Sequence, residues 1–337
     1  MFDSLLSWFG YHPHHKGTSS IQHRDHFSAE EDARSIANIL QTKDANDAAD
    51  VLKLLCHRTN AHRQEVGRAY SKEHHQNLTD ALNAHFSGLT EKAINALMLP
   101  ADCYDAEELH KDLSGVTSHD SILIEVMCSR LNREIKQANA AYLKMYGKSL
   151  SEDITEETSG DLRSLLVDLC QGDRDESLAT NSAKAKQDAQ ALYKAGENRW
   201  GTDEEVFFKI LANQNYDQLQ LVFQEYKSLA GHEIEVALKK EFSGKAYECL
   251  LAVVKCVKNR PAYFAEKLHV AARERKYDTL VRIIVSRAEK DMLEVCQEFE
   301  RFFKTTLVAY IGNIPDNNAE VVKKMLLWLI EGNDKQI

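Results

Sequence analysis

Chain breakers are scarce, with 4 prolines and 14 glycines in 337 residues. So few leave room for long helices and speak against a many-turned β-protein. A basic excess is missing as well, since the formal net charge is −10. A chain of that sign is repelled by nucleic acid and by anionic lipid unless something reverses its charge locally. No nucleic-acid partner is therefore expected. No apolar run reaches the roughly 18 residues that a membrane span requires. The seven cysteines include no Cys-x-x-Cys pair. Cys128, Cys170, Cys249 and Cys256 fall in apolar helical patterns, which predicts buried free thiols in a reducing, cytoplasmic compartment. Gly-x-Ser-x-Gly, His-Glu-x-x-His and phosphate-loop motifs are absent, so no enzyme is expected despite the 14 histidines.

What remains is ordinary globular material, 43% apolar and 28% charged. Residues 1–27 read as an N-terminal tail. Phe2, Leu5, Leu6, Trp8 and Phe9 give it an amphipathic start. An acid replaces the basic region of a secretory signal, so none is expected, while export without a signal stays open. His12, His14, His15, His23 and His26 follow without an acidic or cysteine complement that would make them a metal site. The tail is either a partly ordered terminus or a docking segment for a protein partner or a membrane. Asn77-Leu78-Thr79 is a formal glycosylation sequon, expected to go unused without a signal.

From residue 28 the chain repeats. The segment from Leu54 to Arg58 aligns with Val126–Arg130, Ile210–Gln214 and Ile283–Arg287, at offsets of 72, 84 and 73 residues. A second marker agrees, since Phe86-Ser87-Gly88, Thr158-Ser159-Gly160 and Phe242-Ser243-Gly244 are spaced by 72 and 84. The extra residues between copies two and three fall in a polar stretch that reads as a linker. The expected organisation is repeat 1 over 28–100, repeat 2 over 101–172, a linker over 173–186, repeat 3 over 187–260 and repeat 4 over 261–337. Within copy two, Ile122, Leu123, Val126 and Met127 share one helix face, and Ile135, Ala138, Tyr142 and Met145 share the next. Gly147 and Gly160 punctuate, and Thr158-x-x-Asp161 reads as a helix start. About five short helices per copy are predicted, with the apolar stripes as core.

The loop between the first two helices differs from copy to copy. Copy three has Arg199-Trp200-Gly201-Thr202-Asp203-Glu204, with Glu241 forty-two residues beyond Arg199. Copy two has Leu113, Gly115, Thr117 and Ser118, with Glu157 at the same remove from Gly115. Copy one has Asp44, Asn46 and Asp47, with His85 in the acid's place, and copy four has Arg273, Glu274, Arg275 and Lys276, with Ile314 there.

With these residues in view the chain resembles the annexin family. That family's pattern is four repeats of about seventy residues and a Gly-x-Gly-Thr-Asp/Asn loop paired with a distant acid. The resemblance covers everything after residue 27 and implies an all-α fold, a curved disc of four five-helix repeats. It implies calcium-dependent binding to anionic, phosphatidylserine-like membranes. Copy three would hold Ca2+ with the carbonyls of Gly196, Arg199 and Gly201 and the carboxylate of Glu241, although Arg199 stands where the first glycine belongs. Thr202 and Glu204 would hold a second, weaker ion. Copy two would offer Leu113, Gly115, Thr117 and Glu157, a reduced version, and copies one and four have lost the site. A tight glycine loop can turn carbonyls to one point, and Ca2+ takes six to eight oxygen ligands. Thr202-x-x-Glu205 reads equally as a capping box for the next helix. Trp200 either stands at the loop tip, where an indole suits a lipid interface, or folds beneath it. The family also implies a polar network between copies two and four, for which Asp105, Glu108, Glu125, Arg130 and Arg282 are the candidates. A different reading of the chain is a helical scaffold for protein partners whose calcium sites have mostly decayed.

Overall fold

The computed structural model of the protein describes residues 17–23, 27–42, 44, 46–115, 121–198, 200–315 and 319–332. Among them every regular element is a helix. Copy one folds as Ala29–Thr42, Asp47–Cys56, Asn60–His74, Leu78–His85 and Gly88–Met98. Copy two follows as Ala101–Ser114, Ser121–Ser129, Asn132–Tyr146, Leu150–Glu157 and Gly160–Cys170. Copy three has Ser182–Ala195, Glu204–Asn213, Tyr216–Ala230 and Ile234–Glu241 before the long element Gly244–Arg273. That element is broken at Asn259, whose φ of −165° and ψ of 95° are not helical, two residues before Pro261. Its first part closes copy three and its second opens copy four. Tyr277–Ala288, Met292–Phe303, Leu307–Gly312 and Glu320–Glu331 complete copy four.

Both sequence markers have physical causes. The Ser-Gly marker is the turn between the fourth and fifth helices of a copy. Gly88, Gly160 and Gly244 each start a helix with φ between +56° and +64°, a conformation that suits glycine. The Arg marker is a brace from the end of the second helix to the first. Arg58 holds Asp32 at 2.5 and 2.9 Å, and Arg130 holds Asp105 at 2.8 Å twice. In copy three Gln214 donates to Asp188 at 2.9 Å in the same place. In copy four Arg287 turns to Asp291 instead, at 2.6 Å.

The stripes are core, as their spacing predicts. Leu123, Val126, Met127, Ile135, Ala138 and Tyr142 are all buried. Ile122 is only half-buried, and Met145 stands exposed. The start expected at Thr158 also shifts. Ser159 is the N-cap residue, while the Thr158 hydroxyl donates back to the Ile154 carbonyl. Asn77 of the sequon is itself a cap, its side chain accepting from the backbone N–H of Thr79 and Asp80.

The chain forms two compact units. Asp102–Arg260, copies two and three, make one. In it the sulfurs of Cys128 and Cys249 lie 3.7 Å apart, both buried, and all seven cysteines are free thiols. No helix among the described residues is long and apolar enough to cross a membrane.

The other unit joins the described residues of 14–101 to those of 261–337, copies one and four. The tail contributes to it. Phe2, Leu5, Leu6, Trp8, Phe9, His12, His14, His15 and His26 lie outside the described residues. Residues 17–23, however, are a docked strap. The Glu294 carboxylate accepts from the Thr18 N–H at 2.8 Å and from its hydroxyl at 2.8 Å. The Ser20 hydroxyl donates to the Leu329 carbonyl at 2.6 Å, and Ile21 is only 2% exposed. Next to the strap, the His62 ring is stacked on Phe27 at 4.0 Å and lies 4.4 Å from His23. Both of its nitrogens are buried without a hydrogen-bond partner.

Burial holds the His62 imidazole below its usual value, aided by His23 and Arg58 and opposed by Glu65 and Asp32. A folded-state value below the unfolded one means that the contribution to stability is whole above about pH 6.5 and is lost as pH falls. Acidification from pH 7.5 to 5.5 is thus expected to lower the protection factors of the strap amides, the intrinsic exchange rate at each pH being divided out. The variant His62→Phe should flatten that dependence, as read by exchange mass spectrometry.

Candidate functional site

The loop of copy three begins where helix Ser182–Ala195 runs out. Gly196 leaves helical geometry with φ −111° and ψ −97°, while its N–H still bonds to the Leu192 carbonyl. Two further backbone bonds fold the loop back on the helix end, Asn198 N–H to Tyr193 and Asp203 N–H to Ala195 at 2.8 Å. Gly201 takes φ +77°, which a residue with a side chain would adopt only at a cost of about 1–2 kcal/mol. Trp200 beside it is fully exposed, so of its two readings the loop-tip position holds.

Glu241 is the last residue of helix Ile234–Glu241, and it meets this loop. A Cβ placed on Gly196 would lie 3.1 Å from the Glu241 Cγ and 3.2 Å from its Cδ. The acid thus packs closely against residue 196, and a side chain there would require it to shift by a few tenths of an ångström. The Thr202 hydroxyl donates to Glu241 Oε2 at 2.6 Å. Two groups forty residues apart are brought together by a missing side chain and one hydrogen bond. Among the described residues the carbonyls of Gly196 and Gly201 accept no hydrogen bond. Half-exposed Glu241, those two carbonyls and the Thr202 hydroxyl make a set of hard oxygens, the chemistry Ca2+ selects. Arg199, the third expected carbonyl, lies outside the described residues. No group of three or more His, Cys, Asp or Glu among the described residues could hold a metal, so any site here relies on backbone oxygens.

The capping box expected at Thr202 does not form. The next helix starts at Glu204 behind Asp203, and the Thr202 hydroxyl is committed to Glu241. Glu204 sits half-buried in the first helical turn, where its charge suits the positive helix end.

Sequence reasoning missed one member of this neighbourhood. Glu197 accepts from Lys240 Nζ at 2.7 Å and from the Tyr226 hydroxyl at 3.0 Å, and pairs with His232 Nε2 at 3.0 Å. Burial would raise the Glu197 carboxyl, but the bonds from Lys240 and Tyr226 and the charge of His232 hold it below the usual carboxylate range. Burial and the bond to Glu197 push the Tyr226 phenol up.

Among the described residues, the sister loops show no such arrangement. In copy two Leu113 is buried in its helix, Gly115 and Glu157 are exposed, and Thr117 lies outside the described residues. Asp112 caps the following helix instead, accepting from Ile122 and Leu123 at 3.0 and 2.9 Å. In copy one the loop is filled by Asp47, which accepts from the Thr42 hydroxyl and the Asp44 N–H. His85 turns to the Ala81 carbonyl of its own helix. In copy four Glu274 bridges Arg273 and Lys276, which hold its carboxyl low, and Ile314 is buried where copy three has its acid.

The candidate polar residues are all buried. Arg130 pairs with Asp105 inside copy two as one of the braces described above, not between copies. Glu108 bonds Lys111 on its own helix at 3.0 Å, and Glu125 is fully buried in the same unit. Arg282 is buried in the other unit.

The sequence model of annexins matches residues 32–97, 104–169 and 187–253. Annexin A3 of Homo sapiens is 39% identical over 329 residues, which covers 97% of this chain and 99% of that protein. Annexin A4 of Bos taurus is 39% identical over 310 residues, covering 91% and 96%. The solved structure of annexin III superposes with a TM-score of 0.88 at 38% identity and covers 94% of this chain and 98% of that one. A calcium-bound annexin (Sm)1 gives 0.82 at 25% identity, covering 93% of each.

Overpacking a tight contact costs about 1–3 kcal/mol, and Gly196→Ala is expected to lose that much in denaturant unfolding. The control Gly312→Ala, whose added Cβ would meet nothing within 4 Å, should lose nothing comparable.

Proposed function

The chain belongs to the annexin family, and from that premise we propose that it attaches to anionic phospholipid membranes chiefly through calcium held in the copy-three loop. Calcium-dependent phospholipid binding is the general activity of the family, Ca2+ its ion, and its members are generally not enzymes. The finer assignment is to residues. Glu241 closes the protein side of the site with a carboxylate, and the carbonyls of Gly196, Arg199 and Gly201 supply the remaining protein oxygens. Thr202 and Glu204 serve a second, weaker ion. Leu113, Gly115, Thr117 and Glu157 form the subsidiary site of copy two. The bounds given above for the tail, the four repeats and the linker belong to the same reading.

The observation that carries the proposal is the contact of Glu241 with Gly196 and Thr202. It delivers the acid to a loop whose glycine carbonyls are left without hydrogen bonds. Calcium bound there supplies the positive charge that lets a chain of net charge −10 approach an anionic headgroup. The Thr202 hydroxyl holds Glu241 in place meanwhile. A single carboxylate implies weak affinity without lipid, on the order of 10⁻⁴ to 10⁻³ M. Trp200, fully exposed at the loop tip, presents an amphipathic ring to the interface. Attachment is peripheral and led by copy three, since copies one and four fill their loops with their own side chains.

Glu241→Gln is expected to raise the calcium concentration for half-maximal sedimentation with phosphatidylserine vesicles by at least about tenfold, which corresponds to about 1.4 kcal/mol. Chelator should release the wild-type protein. Binding that ignores both the mutation and the chelator would favour the scaffold reading, in which the tail engages a protein partner.

A further inference from the structure

Glu197 lies inside the copy-three loop, yet its carboxylate is already committed. Lys240, Tyr226 and His232 approach it within 2.7 to 3.2 Å, and the side chain is 13% exposed. Three donors on two oxygens leave little capacity for a cation, so this acid is not a ligand. Its partners define its role. Lys240 is the residue before Glu241, at the end of the same helix. Tyr226 is fully buried on helix Tyr216–Ala230, which packs on the helix that leads into the loop. His232 sits in the turn between these two helices. Glu197 therefore ties the residue after Gly196 to the residue before Glu241.

The acid at this loop position is particular to copy three. At the repeat offsets, position 197 corresponds to Gln41, Leu113 and Val270, none of which carries a charge. Tyr226 corresponds to Tyr142 in copy two, and there the hydroxyl donates to Asp153 at 2.5 Å instead. The acid that receives the tyrosine thus sits in the loop in copy three and on the fourth helix, Leu150–Glu157, in copy two. Glu197 also neutralises Lys240, whose charge would otherwise stand next to Glu241 and oppose a cation.

Resting on the calcium reading of this loop, we infer that Glu197 is a positioning residue for the site. Held by Lys240, Tyr226 and His232, it fixes the loop of Gly196 and Gly201 against Glu241 and sets the calcium affinity of copy three.

The test replaces Glu197 by leucine, the residue that copy two carries at that position. Calcium titrations of phosphatidylserine vesicle sedimentation are run on the full chain. For Glu197→Leu the midpoint should rise about tenfold while the amount bound at saturating calcium stays unchanged. Tyr226→Phe, which removes one donor and matches Phe299 of copy four, should raise the midpoint about threefold. The two changes combined should add little to Glu197→Leu alone, because they cut one network. A purely structural role would lower the melting temperature and the plateau without moving the midpoint, and that result overturns the inference. Unmoved midpoints in both variants, with Glu241→Gln still shifted, overturn it while leaving the site standing. An unmoved midpoint in all three overturns the inference and the calcium assignment together.

Discussion

Glu241 packs tightly against its loop at residue 196, which has no side chain. A Cβ there would lie 3.1 Å from the Cγ of the acid, closer than Cβ atoms ordinarily come. The rest of the functional account depends on that contact. It decides where the carboxylate points and leaves Thr202 to hold it at 2.6 Å instead of capping its own helix. The repeat scaffold serves this closure. The braces Arg58–Asp32, Arg130–Asp105 and Gln214–Asp188 fix the first two helices of a copy against each other, and the loop in question joins those two helices.

Four copies of one architecture do not give four copies of one site. Each loop must satisfy its polar groups somehow, and the copies choose different means. Copy one folds Asp47 into its own loop, and copy four neutralises Glu274 with Arg273 and Lys276. Among the described residues, copy three brings an acid from a distant helix end against a glycine and secures the neighbouring backbone through Glu197. The loops thus differ for local reasons while the fold stays regular.

The repeat period, the helices and the meeting of Glu241 with the copy-three loop were legible in the sequence because their signals are local or recur at a fixed offset. Gly201 and Gly244 announce positive φ by their identity alone, and Glu241 stands at a constant distance from the loop. What escaped was whatever depends on which side chains meet. The partners of Glu197 lie 29, 35 and 43 residues away, and nothing in the spacing links them. Arg130 and Asp105 were legible as charges but not as partners within one copy. The strap at Thr18–Ile21 reads as tail because its contacts with Glu294 and Leu329 are almost three hundred residues distant. Met145 has the spacing of a core residue but faces outward, because its helix ends just beyond it at Tyr146.

The most direct test of the central claim is a crystal structure of the full chain grown in calcium. The account predicts an ion about 2.3–2.6 Å from the Glu241 carboxylate and from the carbonyls of Gly196 and Gly201, with copy three the best occupied of the four loops. Ions in other loops with that position empty would contradict it.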